Sequence, residues 1–222
     1  MNFGSFLQNA LDFLPILAQG VWMTIQITVV SFLLSSALGL VLALLKLSPL
    51  RILSVPASTL INVIRGIPII VQLFYIYFVL PELGIHLSAF QAGVIGMGIA
   101  YSAYQAENFR SGILAVEKGQ REASEALGMR SGMMMRRVIL PQAFRISLPP
   151  YGNTLVMMLK DSSLVSTITV AEITRQGQLI ASSTYENMTV YTLVALLYLM
   201  MSLPLVYGLR HIEQKMALGK KI

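Results

Sequence analysis

The stretch "REASEALGMRSGMMMRRVILPQAFR", Arg121 to Arg145, is the most charged part of a chain that is otherwise apolar. Helix formers run up to Gly128, whose position after them marks a C-terminal cap. Helix is expected to resume beyond it and to stop at Pro141. Two short helices with a turn at Gly128 follow. Ala123, Ala126 and Leu127 make a small apolar face, Glu122 and Glu125 flank it, and Arg121, Arg130, Arg136 and Arg137 surround it. The segment is either an interfacial amphipathic helix held down by arginine and anionic lipid or a docking element for a partner protein. Met133 to Met135 read as packing.

Outside this stretch the chain is greasy. Of 222 residues, 55% are hydrophobic and 12% are charged. Soluble domains carry roughly 25% charge. Several apolar runs reach the ~20 residues that cross a bilayer. They are continuous rather than alternating, which argues against a barrel. An all-α integral membrane protein is expected. There are no cysteines, so disulfides and thiolate metal sites are excluded. His86 and His211 read as ordinary loop residues, and no metal site is expected. The net charge of +6 fits basic loops on one side of a membrane rather than nucleic acid. No cleavable signal is expected, because Asp12 is the early charge and the first apolar run is too long.

Five spans are expected, at about 21–45, 58–80, 87–106, 146–171 and 188–209, in a single transmembrane domain covering 1–222. In the first, Ser35, Ser36, Ala37 and Gly39 suit close helix contact. In the second, Arg65, Gly66 and Pro68 interrupt the run, and Pro68 predicts a kink or a broken turn. The third is rich in small residues and returns to water at "YQAENFRSG". The fourth holds Pro149, Pro150, Gly152, Asn153, Lys160 and Asp161, which a lipid-facing helix would not. The loop with Lys46 and Arg51, the segment 110–145, and the tail with Arg210, Lys215, Lys220 and Lys221 fall on one side. Arg175 alone falls on the other. The positive side is cytoplasmic, so the N-terminus is expected outside and the C-terminus inside. Tyr75, Tyr77 and Phe78 suit an aromatic belt at the outer interface.

The charged segment resembles the signature loop of permease subunits of binding-protein-dependent ATP-driven importers, the ABC uptake systems. Their pattern is E-A-A-x3-G-x9-I-x-L-P. Here stand Glu122, Ala123, Ser124, three residues, Gly128, nine residues, Val138, Ile139, Leu140 and Pro141. Ser124 replaces the second Ala and Val138 the Ile. The likeness extends to "IRGIPIIVQLFYIYFVLP" (Ile64 to Pro81), to "ILPQAFRISLPPYGNTLVMMLKDSSL" (Ile139 to Leu164) and to "AEITRQGQLI" (Ala171 to Ile180), and is of the polar amino acid type. It covers essentially the whole chain.

The resemblance implies a type I importer permease fold with five spans and a cytoplasmic coupling helix, in a bacterial cytoplasmic (inner) membrane. It implies a second permease, identical or related, two cytoplasmic ATPase subunits, and a periplasmic or lipid-tethered amino-acid-binding protein. Glu122, Ala123, Ser124, Gly128, Arg130, Leu140 and Pro141 would then couple the ATPase to the spans. Ala123 and Gly128 permit close backbone approach, and Glu122 and the arginines can fix register by charge pairing. ATP and Mg would be bound by the partner ATPase, with no cofactor in this chain. The residues agree: there is no G-x-x-x-x-G-K-[ST] loop, "ALGKKI" lacks its flanks, and no nucleophile, base and orienting group can be assembled. A transport subunit, not an enzyme, is expected.

The fourth span carries the candidate substrate path. A helix begun at Ile146 puts Lys160 and Asp161 roughly 20 Å along, near the midplane. A charge there costs at least ~2.5–3.5 kcal/mol, so these residues face a cavity or a partner. On one reading Asp161, Ser162, Asn153 and Lys160, with Gln72 of the second span, line the path. On the other, Asp161 pairs with Arg65 or Lys160 and holds the bundle. Arg65, with Gly66 and Pro68, is given a structural or gating role. A channel or ion-driven carrier subunit without an ATPase would explain Lys160 and Asp161 equally, but leaves the Glu122 to Pro141 spacing unexplained.

Overall fold

The computed structural model describes residues 3–218, and every regular element among them is helical. Lys220 and Lys221, counted on the positive side, lie outside the described residues. The elements are α1 (Phe3–Lys46), α2 (Arg51–Gly66), α3 (Ile69–Phe74), α4 (Ala89–Leu114), α5 (Lys118–Ala126), α6 (Ser131–Met134), α7 (Leu140–Asp161), α8 (Ile173–Thr184) and α9 (Asn187–Leu218). Tighter and wider turns fill three junctions: a π turn and a 3₁₀ turn at Tyr75–Val79 and Leu80–Leu83, a π turn at Met135–Ile139, and a 3₁₀ run at Ser162–Ile168.

Among the described residues two helices, α1 and α9, are long and apolar enough to cross a membrane. Two interrupted pairs raise that number to four if each pair is one span. α4, the expected third span, is not among these.

Helix bounds differ from the expected spans for identifiable reasons. α1 starts at Phe3 rather than Val21 and carries Pro15 inside it. An apolar run defines a span, whereas polar Gln8, Asn9 and Asp12 do not end a helix. α2 starts at Arg51 rather than Ser58 and ends at Gly66, so the break falls at Ile67 and Pro68 as the proline dictates. The freed carbonyl of Ile67 accepts from Gln72 Nε2 at 2.9 Å. α4 runs on to Leu114, through "YQAENFRSG" and past the expected end of the span at about 106.

Pro141 does not stop its helix. The π turn at Met135–Ile139 runs straight into α7, and the Leu140 N–H reaches back to the Met135 carbonyl. Proline lacks an N–H and crowds the carbonyl four residues back. A wider turn immediately before it relieves that crowding. Pro149 and Pro150 also lie inside α7 without ending it. The fourth span is broken after Asp161, where α7 gives way to the 3₁₀ run. Helix α8 was expected to be loop. His211 lies within α9, not in a loop as expected, while His86 is in the connection before α4.

The described residues group into two compact units: 3–34, 67–98 and 155–207 in the first, and 35–66, 99–154 and 208–218 in the second. In the first unit Leu17, Ile173, Ile180, Val190 and Val194 form the core. The Ile173 N–H donates to Thr24 Oγ1 at 3.3 Å, and Thr24 donates to the Gly20 carbonyl. In the second unit Ala43, Ile61, Ala103 and Ala106 are buried together. There α1 and α4 approach so closely that a Cβ on Gly39 would lie 2.6 Å from Gln105 Cβ. The small residues expected to serve helix contact do so at that point.

Candidate functional site

Helix α5 owes its short length to its caps. Glu117 takes an extended conformation before it, and Gly128 closes it with a φ of +71°. The Met129 N–H donates to the Ser124 carbonyl at 3.0 Å, and the Gly128 N–H to the Glu125 carbonyl at 2.9 Å. This pair of bonds is a Schellman closure, which needs a left-handed residue where glycine carries little penalty.

The capped helix is held by few contacts. Arg121 donates to the Ile113 carbonyl at 3.1 Å, and Gln142 Nε2 to Gln120 Oε1 at 3.3 Å. Ser124 is buried and its hydroxyl donates back to the Gln120 carbonyl at 2.6 Å. A serine thus fills an alanine-sized place with its polar atom satisfied within the helix. Glu122, Ala123, Glu125, Ala126 and Leu127 are exposed, Leu127 to 81%. The apolar face expected from the sequence is presented outward, rimmed by carboxylates, with Arg130 exposed just beyond the turn.

Below the arm, Ile113, Val116, Ile139 and Ala143 are buried, with Met134 and Met135 packed on them. Those two methionines pack as expected, while Met133 stays exposed. Leu140 and Pro141 are exposed at the start of α7. The arm's root is also pinned by charge. Glu107 accepts from Lys46 through Oε1 and from Arg110 through Oε2, the latter at 2.8 Å. Asn108 Nδ2 donates to Thr154 Oγ1 at 3.0 Å and to Gln105 Oε1 at 3.2 Å.

Asn153 and Lys160 are exposed and Asp161 is half-buried, at spacings of seven and eight on α7, with exposed Met157 between them. Asn153 and Lys160 share one helix face, and Asp161 is turned about 100° from Lys160. Because α7 starts at Leu140, Lys160 and Asp161 lie about 30 Å along it rather than 20 Å, at its far end. Ser162 is buried and its hydroxyl donates to the Leu159 carbonyl at 2.6 Å. Gln72 is half-buried and bridges the break at Ile67. Arg65 is exposed, with its guanidinium 5.4 Å from the Tyr104 ring centroid. Gly66 ends α2, and Pro68 caps α3.

The model of the family of binding-protein-dependent transport system inner membrane components matches residues 35–218. The chain belongs to this family. It is a permease subunit of an ABC importer. It is 41% identical over 189 residues to the probable amino-acid ABC transporter permease protein YckA of Bacillus subtilis (strain 168), covering 85% of this chain and 84% of that one. It is 40% identical to the L-cystine transport system permease protein TcyB of the same organism, covering 84% and 80%. A solved structure described as "an amino acid ABC transporter with histidines" matches it with a TM-score of 0.90 and 40% identity, over 97% of this chain and 99% of that one.

Some structural centres of this permease had no counterpart in the sequence reading. Glu172 is fully buried and accepts from the N–H groups of Thr174 and Arg175 at 2.8 Å each. It also accepts from the Tyr198 hydroxyl at 2.7 Å. It caps α8 and ties it to α9. One signal was available: a tyrosine inside an apolar span needs a partner for its hydroxyl. Glu107 and Asn108, in the stretch read as the return to water, are polar joints between helices.

Proposed function

We propose that this permease serves an ATP-driven importer of a polar amino acid. Its spans are α1, the pair α2 and α3, α4, α7 with its 3₁₀ run and α8, and α9, with the N-terminus outside and the C-terminus in the cytoplasm. A largely buried α4 supports the count, because a helix sheathed by its neighbours need not be apolar enough for lipid. The chain works as one permease domain beside a second permease. Two cytoplasmic ATPase subunits bind and hydrolyse ATP, and a binding protein delivers substrate from outside.

The observation that carries this reading is the presented face of α5. Ala123, Ala126 and Leu127 stand exposed on a helix closed by a strained-for-others glycine turn and braced at its root. Glu122 and Arg130 set register on the ATPase by charge, and Leu140 and Pro141 carry its movement into α7. Asn153 and Lys160 on the exposed face of α7, with half-buried Asp161 beside them, line the substrate path, since charge facing lipid is costly. Arg65, Gly66 and Pro68 take a structural or gating role at the break after α2, Gln72 holds the freed Ile67 carbonyl, and Ser162 braces the end of α7.

Purification from membranes tests the reading. The permease is expected to bring an ATPase subunit with it, and Glu122→Lys is expected to abolish ATP-dependent uptake at normal protein levels. A permease that transports without any ATPase in the preparation would overturn it.

A further inference from the structure

A second feature of α7 points outward. Leu140, Phe144, Leu148 and Tyr151 recur at helical spacing and, with Phe109 and Ile113 of α4, line an apolar groove of about 520 Å³. That volume is within the ~300–1,000 Å³ range of small-ligand sites. From Leu140 to Tyr151 the groove runs about 16 Å along the helix axis. Phe144 is 67% exposed, so the groove is open to its surroundings. Asn153 lies on the other side of α7, about 175° round the helix from the mean of the four α7 positions by the 100° step. The groove therefore belongs to the side of α7 away from its polar stripe.

The groove also has a charged end. Arg136 and Arg137, in the π turn that precedes α7, line a separate polar recess with Gly132 and Met133, and both are exposed. Arg136 and Arg137 precede Leu140 by four and three residues, so both cations stand at the end of α7 from which the groove starts. Neither is needed to neutralise Glu107, which is matched by Lys46 and Arg110. An apolar channel as long as a good part of an acyl chain, entered past two cations that bind phosphate well, is complementary to one class of molecule.

We propose that this groove holds one anionic phospholipid, its phosphate on Arg136 and Arg137 and one acyl chain along Leu140, Phe144, Leu148 and Tyr151. The lipid braces the root of the α5 arm against the bilayer. Binding depends on headgroup charge and on groove volume together, and on neither alone. This inference does not depend on which substrate is carried.

The test uses the assembled importer from vesicles of phosphatidylcholine with a minor share of phosphatidylglycerol, extracted gently and weighed by native mass spectrometry. Retained phosphatidylglycerol is expected, about one per permease chain, with little phosphatidylcholine. The double variant R136Q/R137Q is expected to lower that occupancy about tenfold, and Leu148→Trp, which fills the groove, to lower it comparably. Equal retention of both lipids, or full retention by either variant, overturns the proposal. So does a short bismaleimide joining two Phe144→Cys permeases in an importer that retains no lipid, because a second copy then covers the groove.

Discussion

Gly128 offers a clean perturbation of the α5 arm. Its φ of +71° lies in the left-handed region, and a Cβ built there meets nothing within 4 Å. Substitution therefore strains the backbone without a clash inside the chain. Left-handed backbone costs an ordinary residue roughly 1–2 kcal/mol. Asparagine pays less because its short side chain tolerates this conformation, and a β-branched residue costs more. A free arm held by Arg121 and Gln142 can relax the strain, but an arm seated on a partner cannot. The strain then appears in docking affinity, weakening it about five- to thirtyfold for Gly128→Ala. Titrating the ATPase subunit onto permease in nanodiscs should rank affinity as Gly, Asn, Ala, Val. If the partner merely lacked space at this position, Asn would bind worse than the smaller Ala. That inverted order, or equal binding by Gly and Val, would refute the reasoning.

Three further outcomes are expected. Glu107→Gln leaves Lys46 and Arg110 without their shared carboxylate; a charge-assisted bond of this kind is worth about 1.5–3 kcal/mol, and thermal unfolding in detergent should start at a lower temperature. Unchanged unfolding would show that the pair contributes nothing. Glu172→Ala removes the α8 cap and the acceptor of Tyr198 together; caps are worth ~0.5–2 kcal/mol, so faster proteolysis around α8 is expected, with Glu172→Gln intermediate. Asp161→Asn should cut uptake at least tenfold while the complex still assembles; normal uptake would remove Asp161 from the path.

Much of the arm could be read from the residues themselves. A glycine after a run of helix formers, followed by further helix, has few conformations open to it, and Gly128 takes the expected one. Pro68 breaks its helix where a missing N–H requires. The same rule failed at Pro141, since a neighbouring turn can absorb what a proline displaces, and one sequence does not reveal that turn. Helix α8 escaped because its strength lies in contacts distant along the chain. Ile173 packs with Leu17, and Glu172 meets Tyr198. The polar residues of the candidate path could be picked out by type, but Ser162 and Gln72 have hydrogen bonds to nearby carbonyls that spacing alone did not disclose.

The seat of α5 can be probed directly, because the chain contains no cysteine. A single Glu122→Cys or Ala126→Cys permease, assembled with its partners in the membrane, would be treated with a short bifunctional maleimide against a cysteine placed in turn along the ATPase surface. Cross-links concentrated in one groove of the ATPase, and altered in yield by ATP, are the predicted result. Labelling of both positions by a lipid-soluble maleimide, with no ATPase cross-link at any site, would contradict it.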